Sequence, residues 1–239
     1  MLRLEHISVA YGKHEALHDV TLKIESGRTT VILGANGAGK TTLLNTIAGL
    51  MRPHPGGRIL FEGRAIENDS PHRIVAAGIA LVPEGRRLFG DMTVIENLRM
   101  GAYTPHARAN EGRQLEKQLA LFPLLAPKLA VLAGNLSGGE QQILETAMVL
   151  EAGPSFLLLD EPSLGLSPAN QDQVFATIAD LRGRGLTMLV VEQNAHGALQ
   201  ISDTGMVMEL GRLFASGPAA GLLADPRIKL AYLGGAPVG

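Results

Sequence analysis

The segment from Gly34 to Thr41 has the residue types and spacing of a phosphate-binding loop. It fits the pattern G-x4-G-K-[ST] and stands between a β-branched run and a run with helical periodicity. Glycine lets consecutive backbone N–H groups turn inward around phosphate oxygens at a helix start, where the helix dipole also favours anions. A chance match by a glycine-rich turn is the alternative, at a frequency on the order of 1%. The predicted phosphate-contacting residues are Gly34, Ala35, Asn36, Gly37, Ala38, Gly39, Lys40, Thr41 and Thr42.

Two adjacent carboxylates, Asp160 and Glu161, end an apolar run that begins at Ser155. Paired acids at a strand end are more often a helix cap or a turn feature when they stand alone. Beside a phosphate-binding loop they have a second interpretation, because a Mg²⁺-nucleotide needs one acid to hold the metal's water shell and another to orient or deprotonate the attacking water. We assign the first role to Asp160 and the second to Glu161. Within the loop, Lys40 is expected to reach the β- and γ-phosphates and the Thr41 hydroxyl to bind Mg²⁺.

A third segment, LSGGEQQ at residues 136–142, begins a predicted helix with two glycines. Ser137 and Glu140 have the spacing of a capping box, so the segment could serve only to start that helix. A capping box does not require glycines, however, and Gly138 and Gly139 would leave bare N–H groups that can receive an anion. One chain has no obvious need for two phosphate-binding helix starts. Two chains do, if each completes the nucleotide site of the other.

The composition gives enough apolar material for a buried core and no excess of one charge. The 239 residues are 46% hydrophobic and 18% charged, with 21 basic and 23 acidic side chains. No Lys/Arg run is longer than Arg86-Arg87, so the basic stripe that nucleic-acid binding requires is missing and we expect no nucleic-acid partner. The absence of cysteine excludes disulfides and thiolate metal sites. No apolar run approaches the ~20 residues of a membrane span, and the charged N-terminus is unlike a signal peptide, so we expect any membrane role to be peripheral.

Strand and helix patterns alternate along most of the chain. Residues 1–25 alternate like strands, and buried strands are predicted at 29–33, 79–82, 155–159 and 186–191. Helices are predicted to start at Ser70-Pro71 and Ser167-Pro168, and a hairpin to turn near Gly211. From about Gly85 to Gly153 the patterns are helical. These observations predict a mostly parallel sheet covered on both faces, with a helical lobe inserted into it.

The order phosphate loop, LSGGEQQ, LLLDEP resembles the ATP-binding subunits of ABC transporters over essentially the whole chain. The resemblance implies an α/β fold with a P-loop NTPase (RecA-like) core, an N-terminal antiparallel β subdomain and an inserted helical subdomain. We expect one ABC ATPase domain at residues 1–239. Residues 1–84 and 154–239 would form the core with the β subdomain, and residues 85–153 the helical subdomain. The implied cofactors are ATP and Mg²⁺.

The resemblance also implies the partners. A second ATPase subunit, in a homodimer or a heterodimer, would pair head to tail with this one and sandwich two ATP molecules. Each phosphate loop would then face Ser137, Gly138 and Gly139 of the other subunit. The pair would dock on two transmembrane permease subunits at the cytoplasmic face of the inner membrane, as a peripheral protein. A periplasmic binding protein would take part indirectly.

Four further sites follow from the resemblance. Tyr11 is similar to the aromatic residue that stacks on adenine, although a lone N-terminal tyrosine is usually a packing residue. Residues 163–166 resemble the loop that contacts the opposite subunit. Glu84 stands where most members have Gln, and Gln193 where most have His. The implied catalytic residues are Glu161, Lys40, Gln193 and Glu84, and the implied metal ligands are Thr41, Asp160 and Glu84.

Finer features are similar to the ATPases of branched-chain amino-acid importers. They are the sequences EGRRLF at 84–89 and EQNA at 192–195, with tail segments at 224–226 and 231–234. The helix after LSGGEQQ departs from the family, which usually has Arg where this chain has Met148, and Glu145-Thr146 is also unusual. These departures could weaken a local salt bridge.

We therefore expect an ATP-binding and ATP-hydrolysing subunit that drives uptake of branched-chain or other hydrophobic amino acids through separate permease subunits. Urea, amide or other small-solute importers have closely similar ATPases, so the solute stays open. A soluble ABC protein acting on DNA or ribosomes is a second interpretation, but such chains usually carry coiled-coil arms, a second cassette or basic extensions. A purely structural helix cap is the third, and the Asp160-Glu161 pair argues against it.

Overall fold

The computed structural model describes residues 2–226 and residue 228, so the tail segment at 231–234 lies outside the described residues. The strands are β1 Leu2–Tyr11, β2 His14–Ile24, β3 Thr29–Leu33, β4 Arg58–Phe61, β5 Arg64–Ala65, β6 Ile79–Val82, β7 Phe156–Asp160, β8 Thr187–Glu192, β9 Thr204–Glu209 and β10 Arg212–Pro218. The helices are α1 Lys40–Ile47, α2 Pro71–Ala76, α3 Val94–Gly101, α4 Pro105–Ala109, α5 Glu111–Leu121, α6 Gly138–Leu150, α7 Pro168–Gly183, α8 Ala195–Gln200 and α9 Ala219–Ala224, with short 3₁₀ turns at Pro123–Lys128 and Ala133–Asn135.

The larger sheet has the strand order β10-β9-β3-β8-β7-β6. Its strands β9, β3, β8, β7 and β6 run parallel, and β10 closes the β9–β10 hairpin at one edge. Both faces are covered: in β3, Val31 and Leu33 belong to one buried cluster and Ile32 to the other. This explains why the parallel strands have continuous apolar sequences without alternation. The predicted mostly parallel α/β core is confirmed.

The smaller sheet is antiparallel, with the order β2-β1-β4-β5. Its alternating apolar residues, among them Leu4 and Leu22, share a buried cluster with Leu43 and Leu44 of α1. Helix α1 is therefore held between the two sheets, and the loop before it is fixed at both ends.

The chain between β6 and β7 contributes no strand to either sheet within its described residues. Helices α3 and α6 contact each other, and α6 also packs on α7. Both α3 and α6 begin with a complete capping box, Thr93 with Glu96 and Ser137 with Glu140. No helix among residues 2–226 is long and apolar enough to cross a membrane. The domain boundaries at 84/85 and 153/154 stay a prediction.

Gly101, the last residue of α3, gives a test of this packing. A Cβ at Gly101 would lie 1.9 Å from the carbonyl oxygen of Met148, so the two helix backbones must separate to admit it. We expect Gly101→Ala to lose about 1–3 kcal/mol of unfolding free energy by overpacking, measured by thermal or urea unfolding. The control is Gly112→Ala in α5, where a Cβ would meet no described atom within 4 Å, and which should be neutral or stabilising by up to ~1 kcal/mol. Equal stabilities for the two variants would contradict the close approach of α3 and α6.

Candidate functional site

The loop between β3 and α1 has, at its two turning points, a backbone conformation that residues with a Cβ rarely adopt. Gly37 and Gly39 have φ of 79° and 102°, in the left-handed region. A Cβ on Gly39 would also lie 2.8 Å from the carbonyl oxygen of Ala16. The loop borders a cleft of about 360 Å³, and the residues lining it are Tyr11, Ala16, Asn36, Gly37, Ala38, Gly39, Lys40, Thr41, Thr42, Glu84 and Glu161.

Lys40, the first residue of α1, is almost fully buried under this loop. Its Nζ donates hydrogen bonds to the carbonyl oxygens of Gly34 and Ala35, at 2.7 and 3.0 Å. The same Nζ lies 3.0 Å from Oε1 of Glu161, and both side chains are more than nine-tenths buried. The ammonium group therefore joins the loop to the end of β7. A buried cation beneath a glycine-rich loop at a helix start is an arrangement that suits an anionic ligand.

Glu161 is held in place by both its backbone and its side chain. It has φ of 46°, an uncommon conformation for a residue with a Cβ, and its N–H donates to the carbonyl of Val191 at 2.9 Å. Its Oε2 accepts a hydrogen bond from Nε2 of Gln193 at 2.7 Å, and the same amide group contacts Asn36 of the loop. Strained residues of this kind concentrate at functional sites, which is consistent with the catalytic role predicted for Glu161.

Asp160 and Thr41 form the part of the site that suits a metal ion. The Thr41 hydroxyl donates to Oδ1 of Asp160 at 3.1 Å. Burial raises the pKa of Asp160 to about 6; the Thr41 hydrogen bond and Lys40 oppose this rise, and the carboxylates of Glu161 and Glu84 add to it. A cation would relieve this crowding of negative charge. Hydroxyl and carboxylate oxygens are ligands that Mg²⁺ prefers, so the residues present fit the predicted metal.

Tyr11 and Glu84 stand at the mouth of the cleft. The Tyr11 ring is 52% exposed, and its hydroxyl lies 3.4 Å from Oγ1 of Thr42. Tyr11 thus lines the cleft; its stacking on adenine, predicted from the resemblance, stays a prediction. Glu84 follows β6 and is exposed beside the loop. The structure thus brings Tyr11, Glu84, Gln193 and the Asp160-Glu161 pair together around the phosphate loop.

Ser137, Gly138 and Gly139 are not part of this cleft. The capping box is formed, since Ser137 N–H donates to Oε2 of Glu140 at 3.0 Å and Oγ of Ser137 accepts the Glu140 N–H at 3.4 Å. The glycines also have a packing reason within the chain. A Cβ on Gly138 would lie 2.5 Å from Nη1 of Arg86, and one on Gly139 would lie 3.0 Å from Asn170. None of the three residues lines the cleft beside the chain's own phosphate loop.

Two buried glutamates near the site were not assigned a role from the sequence. Glu192, at the end of β8, has its carboxylate among backbone N–H groups of neighbouring loops. Glu145 in α6 is 1% exposed; its Oε1 accepts the Arg87 N–H at 2.7 Å, and its Oε2 receives no hydrogen bond from the described residues. Burial raises the pKa of Glu145, although the Arg87 N–H and the charges of Arg87 and Arg86 lower it. From the sequence, Glu192 was noted only as part of EQNA at 192–195, and Glu145 only as a departure from the family.

Glu145 lies in an apolar groove of about 440 Å³ that is lined by residues of α1, α2 and β6 and by residues of α3 and α6. The groove is also lined by Phe89, Met100, Tyr103 and Met148. Three of these four, Phe89, Met100 and Tyr103, are large apolar or aromatic side chains that remain about half exposed. The groove is thus a candidate contact surface and is separate from the phosphate cleft.

Comparisons with known proteins agree with this geometry. The family described as ABC transporter matches residues 17–164. The chain is 43% identical to the high-affinity branched-chain amino acid transport ATP-binding protein BraG of Pseudomonas aeruginosa, over 98% of this chain and 100% of BraG. It is 31% identical to the lipopolysaccharide export system ATP-binding protein LptB of Haemophilus influenzae, over 98% of this chain and 97% of LptB. Among solved structures, the ADP conformation of MJ1267, an ATP-binding cassette of an ABC transporter, matches with a TM-score of 0.84 at 29% identity, covering 98% of this chain and 99% of MJ1267.

The buried carboxyl of Glu145 predicts a pH-dependent cost to stability. Its raised pKa means that the carboxyl keeps its proton to a higher pH in the folded chain than in the unfolded chain, which ionises it above about pH 4.3. The cost is therefore present at neutral pH and decreases as the pH falls toward that value. Glu145→Gln removes the charge and leaves an oxygen to accept the Arg87 N–H, so its Tm should exceed that of the wild type at pH 7.5 and the gap should narrow at pH 5. The control, Glu116→Gln at an exposed position, should show no such gap. A gap for Glu145→Gln that is the same at both pH values would rule out a titrating carboxyl.

Proposed function

The chain belongs to the ABC transporter family, and on that premise we propose that it is the ATP-hydrolysing subunit of an importer for branched-chain amino acids. One observation carries the catalytic part of the proposal. The loop residues Lys40 and Thr41 converge on Glu161 and Asp160 at the carboxyl end of β7. Similarity to BraG along the whole chain supports the transport part.

Glu161 is the proposed general base, and Lys40 controls its availability. In the structure the Lys40 ammonium is paired with Glu161, 3.0 Å away. The γ-phosphate of ATP would give Lys40 a second anionic partner, which leaves the Glu161 carboxylate to accept a proton from the attacking water. Gln193 already donates to Glu161 and can offer its amide oxygen to the same water. Mg²⁺ held by Thr41, Asp160 and Glu84 would offset the charge of the β- and γ-phosphates.

A second ATPase subunit of the same family is the proposed partner at the LSGGEQQ segment. That helix start has glycines at its first two positions, and none of them lines the chain's own cleft. It would receive the γ-phosphate of the nucleotide bound by the other subunit, head to tail, so that two ATP molecules are sandwiched. Loop residues 163–166 lie beside it, since a Cβ on Gly138 would be 3.0 Å from Cδ2 of Leu166.

A membrane permease is the proposed occupant of the apolar groove. Residues 84–89 run from the cleft, which Glu84 lines, to the groove, which Arg87 and Phe89 line. One short loop therefore touches both surfaces, and this supports a permease contact that senses the nucleotide. We place the subunit at the cytoplasmic face of the inner membrane, as a peripheral protein.

The solute is the part of the proposal with an alternative. The transported molecule would not contact this subunit, and an importer of urea, an amide or another small solute would suit the same geometry. The likeness to LptB shows that the family includes an export system, but the identity to BraG is greater, at 43% against 31%. We therefore favour uptake of branched-chain amino acids.

Ser137 offers a test of the proposed partner site. Asp and Asn are both good N-cap residues and similar in shape, so Ser137→Asp and Ser137→Asn should keep the helix start and the Tm. Only Asp places a negative charge beside the other subunit's γ-phosphate, where like charges ~4 Å apart repel by about 4 kcal/mol. We expect turnover at least ~10²-fold lower for Asp than for Asn, with ATP affinity of the dilute monomer equal in both. Equal turnover by both variants would leave only the capping role.

Glu161→Gln tests the proposed hydrolysis. The variant should bind ATP at least as tightly as the wild type, because Lys40 loses a competing anion, and should hydrolyse it ~10²–10⁴-fold more slowly. Fluorescent-ATP titration and phosphate release measure the two quantities. The control is Lys40→Ala, which should weaken ATP binding itself. Hydrolysis by Glu161→Gln at the wild-type rate would refute Glu161 as the base.

The same variant separates the candidate solutes. Cells that carry Glu161→Gln should take up labelled leucine, isoleucine and valine at the background rate of a deletion strain. Unchanged uptake of these amino acids, with loss of urea or amide uptake, would move the proposal to the alternative solute while leaving the ATPase assignment intact.

A further inference from the structure

The carboxylate of Glu192 joins two loops that meet at the end of β8. Its Oε1 accepts the backbone N–H of Ser163 at 2.8 Å. Its Oε2 accepts the N–H of Gln193 at 3.0 Å and the N–H of Asn194 at 3.3 Å. One oxygen thus holds the loop 163–166, and the other holds the segment 193–194.

Burying the carboxylate of Glu192 costs free energy, and this makes its position between the two loops informative. Glu192 is 2% exposed, and burial raises its pKa, although the hydrogen bonds from Ser163, Asn194 and Gln193 lower it. Among the described residues, no Lys or Arg side chain forms a salt bridge with Glu192. A carboxylate has two accepting oxygens, whereas a Gln side chain has only one. A Gln at this position would therefore replace one of the two accepting oxygens by an N–H₂ donor.

Gln171 of α7 joins the same two segments by the opposite hydrogen-bond polarity. Its Nε2 donates to the carbonyl oxygens of Ser163 and Leu166, both at 3.3 Å. Its Oε1 accepts from Nδ2 of Asn194 at 3.0 Å. We call Glu192 and Gln171 the loop bridge. It satisfies donors and acceptors on both loops, so neither loop can shift without breaking bonds to the other.

The loop bridge lies between two functional surfaces. On one side, Leu166 packs close to Gly138, at the helix start proposed to face the other subunit's nucleotide. On the other side, Gln193 donates to Oε2 of Glu161 at 2.7 Å, in the chain's own cleft. A displacement of loop 163–166 on subunit closure would therefore be passed through the bridge to Gln193, and from Gln193 to the carboxylate of Glu161.

We propose that Glu192 and Gln171 are positioning residues that couple the two nucleotide sites of the dimer, by tying the subunit-facing loop 163–166 to Gln193. The proposal rests on the ATPase function proposed above and adds to it a route between the sites. Neither residue touches nucleotide; each acts through Gln193. Loss of either should therefore impair turnover and cooperativity and leave ATP binding to the single chain intact.

The experiment compares wild type with Glu192→Gln, Gln171→Ala and the exposed control Asp172→Asn in the full-length chain. Phosphate release is measured against ATP concentration, with ATP affinity of the dilute monomer and Tm measured in parallel. We expect a Hill coefficient above 1 for wild type and control and close to 1 for both bridge variants. Their kcat should fall about tenfold, the effect of losing a hydrogen bond to a positioned group, with monomer ATP affinity within about twofold.

The outcomes separate the proposal from its premise. A wild-type chain that shows no ATPase activity either alone or with its second ATPase subunit would overturn the proposed function itself. An active wild type with a Hill coefficient of 1, or bridge variants that lower Tm but keep the wild-type kcat and Hill coefficient, would overturn only the coupling role. Weakened monomer ATP affinity in the bridge variants would also overturn it, since the bridge would then shape the chain's own binding cleft.

Discussion

The buried ion pair between Lys40 and Glu161 is the interaction on which the rest of the site depends. Both groups are buried away from water, and each neutralises the charge of the other. Removing one would leave the other as an uncompensated buried charge. The ammonium also fixes the carbonyl oxygens of the phosphate loop, and the carboxylate holds the Gln193 amide. One pair of charges thus fixes the positions of the phosphate loop, the end of β7 and the end of β8 relative to one another. On the proposed binding mode, an incoming triphosphate would compete with Glu161 for the Lys40 ammonium.

The parallel sheet makes this pair geometrically possible. Strands β3, β8 and β7 are neighbours, so the residues that follow them emerge at one edge although they are far apart in sequence. The helices between β6 and β7 leave the pairing of those strands regular, with Ile79 opposite Phe156. The chain can therefore carry a long helical segment between β6 and β7, with its own groove and helix start. This segment does not disturb the carboxyl ends of β3, β7 and β8, where the proposed catalytic residues lie.

Features encoded in a contiguous segment could be predicted from the sequence, whereas contacts between residues far apart in the sequence could not. The phosphate loop, the Asp160-Glu161 pair and the core strands were predictable because each is a contiguous pattern with its own physical signature. The contacts of Glu192 were not, because its partner Ser163 lies on another loop and no periodicity connects them. The close approach of Gly101 to Met148, and of Gly138 to Arg86, likewise depends on how separate elements pack. Ser70 and Ser167 occupy the predicted N-cap positions, but their side chains make no capping hydrogen bond.

The exposed ring of Tyr11 has a consequence for which nucleotides the cleft would admit. On the proposed binding mode, backbone N–H groups of the loop and the buried Lys40 would bind the phosphates of the nucleotide. Its base would contact only the half-exposed aromatic face of Tyr11. Every nucleobase presents a π-face, and stacking does not read the hydrogen-bonding edge that tells adenine from guanine. The cleft would then select among nucleotides by the length and charge of the phosphate chain rather than by the base. The use of ATP rather than other nucleoside triphosphates would then follow largely from its abundance in the cell.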